Sequence, residues 1–121
     1  METFRSGFEK RVASSLKKEG VPYTYEDDVI RFVQPEKKRR YTPDFFLSNG
    51  VILEVKGRFT VADRNKHQWI KEQFPDLDLR FVFQQPFSKL YKGSKSTYAS
   101  WADKQGIPWC KGPDIPQSWK T

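Results

Sequence analysis

Asp44 and the run Glu54-Val55-Lys56 sit inside TPDFFLSNGVILEVKG, residues 42–57, and are its only charged side chains. Burying an unpaired charge costs on the order of several kcal/mol, so strand-like sequence tolerates charges only when they are paired or bound to something. Two carboxylates supply the oxygen ligands that magnesium prefers. A metal held there activates water and offsets charge building on a scissile phosphate. Lys56 is placed to orient that water or to steady the phosphate, and it also offsets repulsion between the acids while no metal is present. The chemistry is that of a divalent-metal nuclease. The same residues also fit a cross-strand ion pair at a sheet edge, and the short pattern alone does not separate the two. Pro43, the apolar setting and the basic chain weigh towards catalysis.

Geometry sharpens the choice. Strand side chains alternate faces, so Glu54 and Lys56 share one face while Leu53 and Val55 take the other. A two-residue Asn49-Gly50 turn would pair Leu47 with Ile52 and set Asp44 opposite Val55, on the wrong face. A three-residue loop, Ser48-Asn49-Gly50 with Gly50 left-handed, pairs Leu47 with Val51. Asp44 then lies across from Glu54, at a Cβ separation of roughly 4.5–5.5 Å. Only that register makes a metal site, and it is the one expected.

The elements that must position these residues can be read outward from the hairpin. A first helix is predicted from Gly7 to Glu19, with Phe8, Val12 and Leu16 on one stripe and Gly20 as its stop. Residues 21–33 read as one or two strands carrying Tyr23, Tyr25, Val29, Ile30 and Phe32. Pro35-Glu36-Lys37-Lys38-Arg39-Arg40 interrupts them. It reads as a solvated loop, a phosphate contact, or an extended bridge between halves of a dimer. A second helix is expected over 62–74, with Trp69, Ile70 and Phe74 inward, Asp63 as N-cap, and Lys66 and His67 outward. Leu77 to Phe83 alternates as a strand, Thr97 to Gln105 reads as a short helix ended by Gly106, and Ile107 to Cys110 as a last strand. The order predicts a mixed α/β domain with a small central sheet.

Composition narrows the function. The chain has 121 residues, which fits one domain with a modest core. Aromatic residues make up 16%, too many for a disordered chain. A net charge of +7 favours a polyanionic partner, most often nucleic acid. Cys110 and His67 are the only residues of their kinds, which excludes a disulfide within the chain and argues against a zinc site or a serine-type triad. No apolar run approaches membrane-spanning length and no signal-peptide core is visible, so an intracellular protein with no membrane partner is expected.

Ser6-Gly7-Phe8-Glu9 reads, taken alone, as a capping box at a helix start. The wider pattern changes the weight of Glu9. FRSGFE at 4–9, YTPDFFLSNGVILEVKG at 41–57, DRNKHQWIKEQFPDLDLRFVF at 63–83 and KLYKGSKSTY at 89–98 occur in this order. Together they resemble the phage endonuclease I family of Holliday-junction resolvases over nearly the whole chain. The resemblance implies a restriction-endonuclease-like mixed β-sheet flanked by helices, and an intertwined, domain-swapped homodimer. It implies cleavage of four-way and other branched DNA with Mg2+ or Mn2+ and no small-molecule cofactor, in DNA recombination in the host cytoplasm. By motif match Asp44, Glu54 and Lys56 fall on the catalytic acid, acid and lysine. Glu9 falls on a fourth catalytic residue contributed by the partner subunit, so Asp44, Glu54 and Glu9 are the expected metal ligands. The chain would be one nuclease domain over 1–121, with residues 34–41 as the bridge.

Further contacts to DNA are expected from Arg5 in the first motif, from Lys37, Lys38, Arg39 and Arg40 in the bridge, and from Arg58, Arg64 and Lys66. Lys89, Lys92 and Lys95, around Tyr91 and Gly93, read as backbone contacts. His67 reads either as a solvent-exposed histidine or as a further phosphate contact. Trp69 and Trp101 lie on helical stripes and read as core rather than as platforms for unpaired bases, and Cys110 as a small buried hydrophobe. The chain departs from the family pattern by beginning almost at FRSG and ending soon after Ile115-Pro116-Gln117-Ser118-Trp119, without a longer basic tail. Branch selectivity is therefore less determined than cleavage. A nicking or mismatch-directed nuclease of the same fold, or a non-catalytic module that binds branched DNA, stays open.

Overall fold

The structure, a computed structural model, describes residues 3–34 and 37–121. Pro35 and Glu36, part of the expected bridge, lie outside the described residues, as does the side chain of Lys37. Helix α1 (Gly7–Lys18) opens the chain, capped by Ser6, whose hydroxyl accepts from the Glu9 N–H. Strands β1 (Tyr23–Tyr25), β2 (Ile30–Gln34), β3 (Lys37–Tyr41), β4 (Phe45–Leu47) and β5 (Ile52–Lys56) follow. Then come α2 (Val61–Gln73), β6 (Leu79–Phe83), α3 (Tyr98–Gln105) and β7 (Trp109–Lys111).

The central sheet runs β1-β4-β5-β6-β7. Its first pairings are antiparallel, and β5-β6 and β6-β7 are parallel, each crossover made by a helix. The fold is thus mixed α/β, as the order of elements predicts. Both faces of the sheet are covered, which is why β6 buries Val82 as well as Phe81 and Phe83. Phe8, Val12 and Leu16 of α1 pack with Phe45, Leu53, Val55 and Val82 on one face. Across the sheet, Phe59, Phe81 and Phe83 pack with Tyr98 and Ala102 of α3. Ile52 and Leu79 meet Ile70 of α2, Phe32 and Tyr41. Among the described residues, no helix is long and apolar enough to cross a membrane.

Two expectations need correction here. The basic run from Lys37 to Arg40 is not a loop but strand β3, paired antiparallel with β2 from Ile30↔Tyr41 to Gln34↔Lys37. Pairing and docking outweigh its weak strand pattern: β2 lies on α2, where the Gln73 side chain bonds both the N–H and the C=O of Val33. Helix α2 is capped by Thr60, and Asp63 is the reciprocal partner of that capping box rather than the cap itself.

Candidate active site

The β4–β5 turn takes the form that a metal site requires. Phe45 pairs with Leu53 and Phe46 with Ile52. The Leu47 N–H donates to the Val51 carbonyl at 2.8 Å, closing Ser48-Asn49-Gly50 as a three-residue loop. Gly50 has φ 92°, the left-handed region that a side chain would resist. That register sets Asp44, just before β4, across from Glu54. Asp44 Oδ2 accepts from the Val55 N–H at 2.8 Å. Its carboxyl is pushed up to about 8, first by burial, then by the charge of Glu54, with the Val55 N–H pulling the other way and Glu9 adding to the rise.

Glu54 is 4% exposed and fully engaged. The Tyr41 hydroxyl donates to its Oε1 at 2.6 Å, and Lys56 Nζ stands 3.2 Å from its Oε2. Lys56 also reaches Asp63 Oδ1 at 3.3 Å. Burial pulls the Lys56 pKa down, but the charges of Glu54 and Asp63 outweigh it, so the ammonium is held charged.

Glu9 arrives from α1, on the opposite side of the sheet from α2. It does not complete a full capping box. Its carboxylate accepts instead from the Tyr25 hydroxyl at 2.7 Å and the Ser6 hydroxyl at 3.2 Å. Carboxylate oxygens of Glu9, Glu26 and Asp44 all lie within 4.8 Å of one another. Two features of this cluster stand apart from the sequence reading. Glu9 meets Asp44 within one chain, where the family resemblance implies the partner's helix. Glu26, not among the expected ligands, joins them while bound to Arg5 at 3.1 Å. Its φ of 51°, rare outside glycine, aims the turn back on the Asp44 carbonyl, which accepts from the Glu26 N–H at 3.2 Å.

The donor set is carboxylate oxygen throughout, which suits Mg2+ or Mn2+ rather than zinc or copper. Burial leads the rise at Asp44, and the charges of Glu54 and Glu9 add to it, so a divalent cation placed among these oxygens would relieve both. A consequence can be measured without metal. The folded-state value of Asp44 lies above that of an unfolded aspartate, about 3.9. Its neutral form therefore favours the fold. That stabilisation is complete below about pH 4 and is lost as pH rises through about 8. In EDTA, Asp44→Asn should melt above wild type at pH 8, by an amount on the order of a few kcal/mol, with the gap closing towards pH 4. Thermal melts across that range check it; a gap independent of pH contradicts the assignment.

The expected DNA contacts divide. Lys38, Arg39, Arg40, Arg58, Lys89, Lys92 and Lys95 are exposed. Arg5 is exposed but paired with Glu26, and Arg64, half-buried, donates to the Phe59 carbonyl at 3.1 Å. Arg39, Arg40 and Lys66 line a groove of about 360 Å³ between the β2–β3 hairpin and α2, with Asn65, Phe32 and Trp69. Trp69 packs against the Phe32, Tyr41 and Ile70 core as expected, with its half-exposed edge on the groove wall. Trp101 packs with the α3 core as expected. Cys110 is half-buried against the α1 core, its thiol pushed up to about 12 by burial.

His67 is a correction. It faces inward with no exposure, against Tyr41 and Phe81. Burial and then the charges of Lys66 and Lys56 hold it neutral, so it offers nothing to a phosphate. Its spacing from buried Ile70, one turn along α2, was the available signal.

With this geometry in view, the comparison with known proteins is decisive. Residues 1–120 match the phage endonuclease I family. This chain belongs to that family. It is 48% identical over 104 residues to "Endodeoxyribonuclease 1" of Enterobacteria phage T3, covering 86% of this chain and 68% of that protein. It is also 42% identical over 116 residues to "Endonuclease I" of Escherichia phage T7, covering 96% and 77% respectively. For a phage endonuclease I, an acidic cluster with a charged lysine beside it is the natural place to seek the active site.

Proposed function

We propose that this phage endonuclease I is a metal-dependent, structure-selective endodeoxyribonuclease that resolves four-way junctions and other branched DNA in the host cytoplasm. The observation that carries the reading is the hairpin register, which sets Asp44 across from Glu54 and beside Lys56 in a member of this family. Asp44, Glu54 and Glu9 are the residues to hold Mg2+ or Mn2+. When bound, the ion supplies an activated water and offsets charge on the phosphate. Lys56 adds a fixed positive charge where negative charge develops, as water attacks phosphorus and the bond to the leaving sugar oxygen breaks. Uncatalysed phosphodiester cleavage is slow enough to demand a barrier reduction near the top of the ~8–23 kcal/mol enzymatic range. Preorganised charge of this kind is a credible source.

We read residues 1–121 as one restriction-endonuclease-like nuclease domain that works as an intertwined homodimer, bridged by residues 34–41. The β2–β3 hairpin is compatible with that reading. Opening it between Gln34 and Lys37 and closing it on a second copy would keep the contacts described above, with those between residues 3–34 and residues 37–121 now running between chains. Glu9 would then meet Asp44 of the partner. Arg39, Arg40, Lys66 and Arg58 would follow the DNA backbone, with Lys89, Lys92 and Lys95 on a second loop.

The test compares cleavage of an immobile four-way junction with cleavage of its separate linear arms, with Mg2+ and with EDTA. The expected result is Mg2+-dependent cleavage at the branch point and little cleavage of the arms. Equal rates on arms and junction reject branch selectivity and leave a general nicking nuclease.

A further inference from the structure

Tyr41 stands where the basic strand meets the acidic cluster. It ends β3, opposite Ile30, and is 2% exposed. Its hydroxyl donates to Glu54 Oε1 at 2.6 Å while Lys56 holds Oε2 at 3.2 Å. The two oxygens are therefore fixed by different groups, and each keeps a lone pair that a cation can use. A carboxylate can only accept and a phenol carries the proton, so the bond runs from Tyr41 towards Glu54.

The ring is itself held. His67 stands edge-on to it at 5.2 Å and edge-on to Phe81 at 5.0 Å, and Lys66 Nζ lies 5.2 Å from the ring centroid. Both His67 nitrogens are buried without a hydrogen-bond partner among the described residues. The imidazole is thus a neutral wedge between aromatic rings, and it leaves Tyr41 one orientation. Arg39 and Arg40 of the DNA-facing groove precede Tyr41 directly in the strand, so a shift of that strand moves the group that orients Glu54.

We infer that Tyr41 is a positioning residue for the metal-binding carboxylate of Glu54, making strand β3 the back wall of the metal centre. The inference rests on the metal-dependent reading above. Partners of this kind behind a metal ligand are worth about 10–100-fold in metal affinity.

The test uses the metal-stripped full chain without DNA, titrated with Mg2+ by calorimetry, alongside junction binding measured in EDTA. Tyr41→Phe keeps the ring and its packing on His67. It should weaken Mg2+ binding at least about tenfold and leave junction affinity in EDTA unchanged. Ile30→Val, which trims apolar packing at the paired position, should bind Mg2+ as wild type does. Wild-type Mg2+ affinity in Tyr41→Phe overturns the inference alone, as does an equal loss in Ile30→Val, since that makes the effect one of packing. Wild-type protein that binds no Mg2+ overturns the metal-dependent reading along with it.

Discussion

Glu9→Ala and Glu54→Gln chains, each inactive alone, are expected to recover cleavage when folded together into mixed dimers. Each substitution removes one of the proposed metal ligands. If the hairpin exchanges between chains, Glu9 of one subunit serves Asp44, Glu54 and Lys56 of the other. A mixed dimer then carries one doubly damaged site and one intact site. Recovery should exceed the activity of either variant by at least about 10²-fold, the scale on which single electrostatic groups at active sites act. Its product should be nicked rather than fully resolved junction, because one site cuts one strand. If each chain closes its own hairpin, as the contacts described here also allow, every site in the mixture keeps one defect. No recovery would then be seen, and the exchanged dimer would be rejected. Co-expression with two affinity tags, followed by a plasmid-cruciform or synthetic-junction assay, reads the outcome.

How far the site was legible in sequence differs by residue, for physical reasons. The hairpin register was legible because loop length fixes strand pairing, and Gly50 marks the one position needing a left-handed backbone. The helical stripe of Phe8, Val12 and Leu16 was legible for a similar reason, since it is local and periodic. The loop reading of the basic run failed because strand propensity in Lys and Arg is weak. What makes Lys37–Tyr41 a strand is its pairing with β2 and the seat of β2 on α2, both tertiary. His67 was misread because its polarity was counted. Held neutral between aromatic rings, it packs as one of them. Glu26 carried no signal, since its place depends on a rare backbone angle and on a carbonyl eighteen residues away, about as non-local as a turn contact becomes. Tyr41 lies inside a recognised motif, yet its role is visible only once its hydroxyl is seen on Glu54.

We propose that the Asp44–Glu54 pair, with Lys56, forms a metal-dependent phosphodiesterase site. Glu54→Gln isolates it, because the amide keeps the shape and an oxygen for Tyr41 to bond but removes the charge that Lys56 and a divalent cation require. The decisive measurement is the single-turnover cleavage rate of a four-way junction at saturating Mg2+, with junction affinity measured in EDTA for the same preparations. In Glu54→Gln the rate should fall at least about 10³-fold, with junction binding retained. A variant that binds the junction and still cleaves it near the wild-type rate would rule out Glu54 as a metal ligand, and place the chemistry elsewhere on the chain.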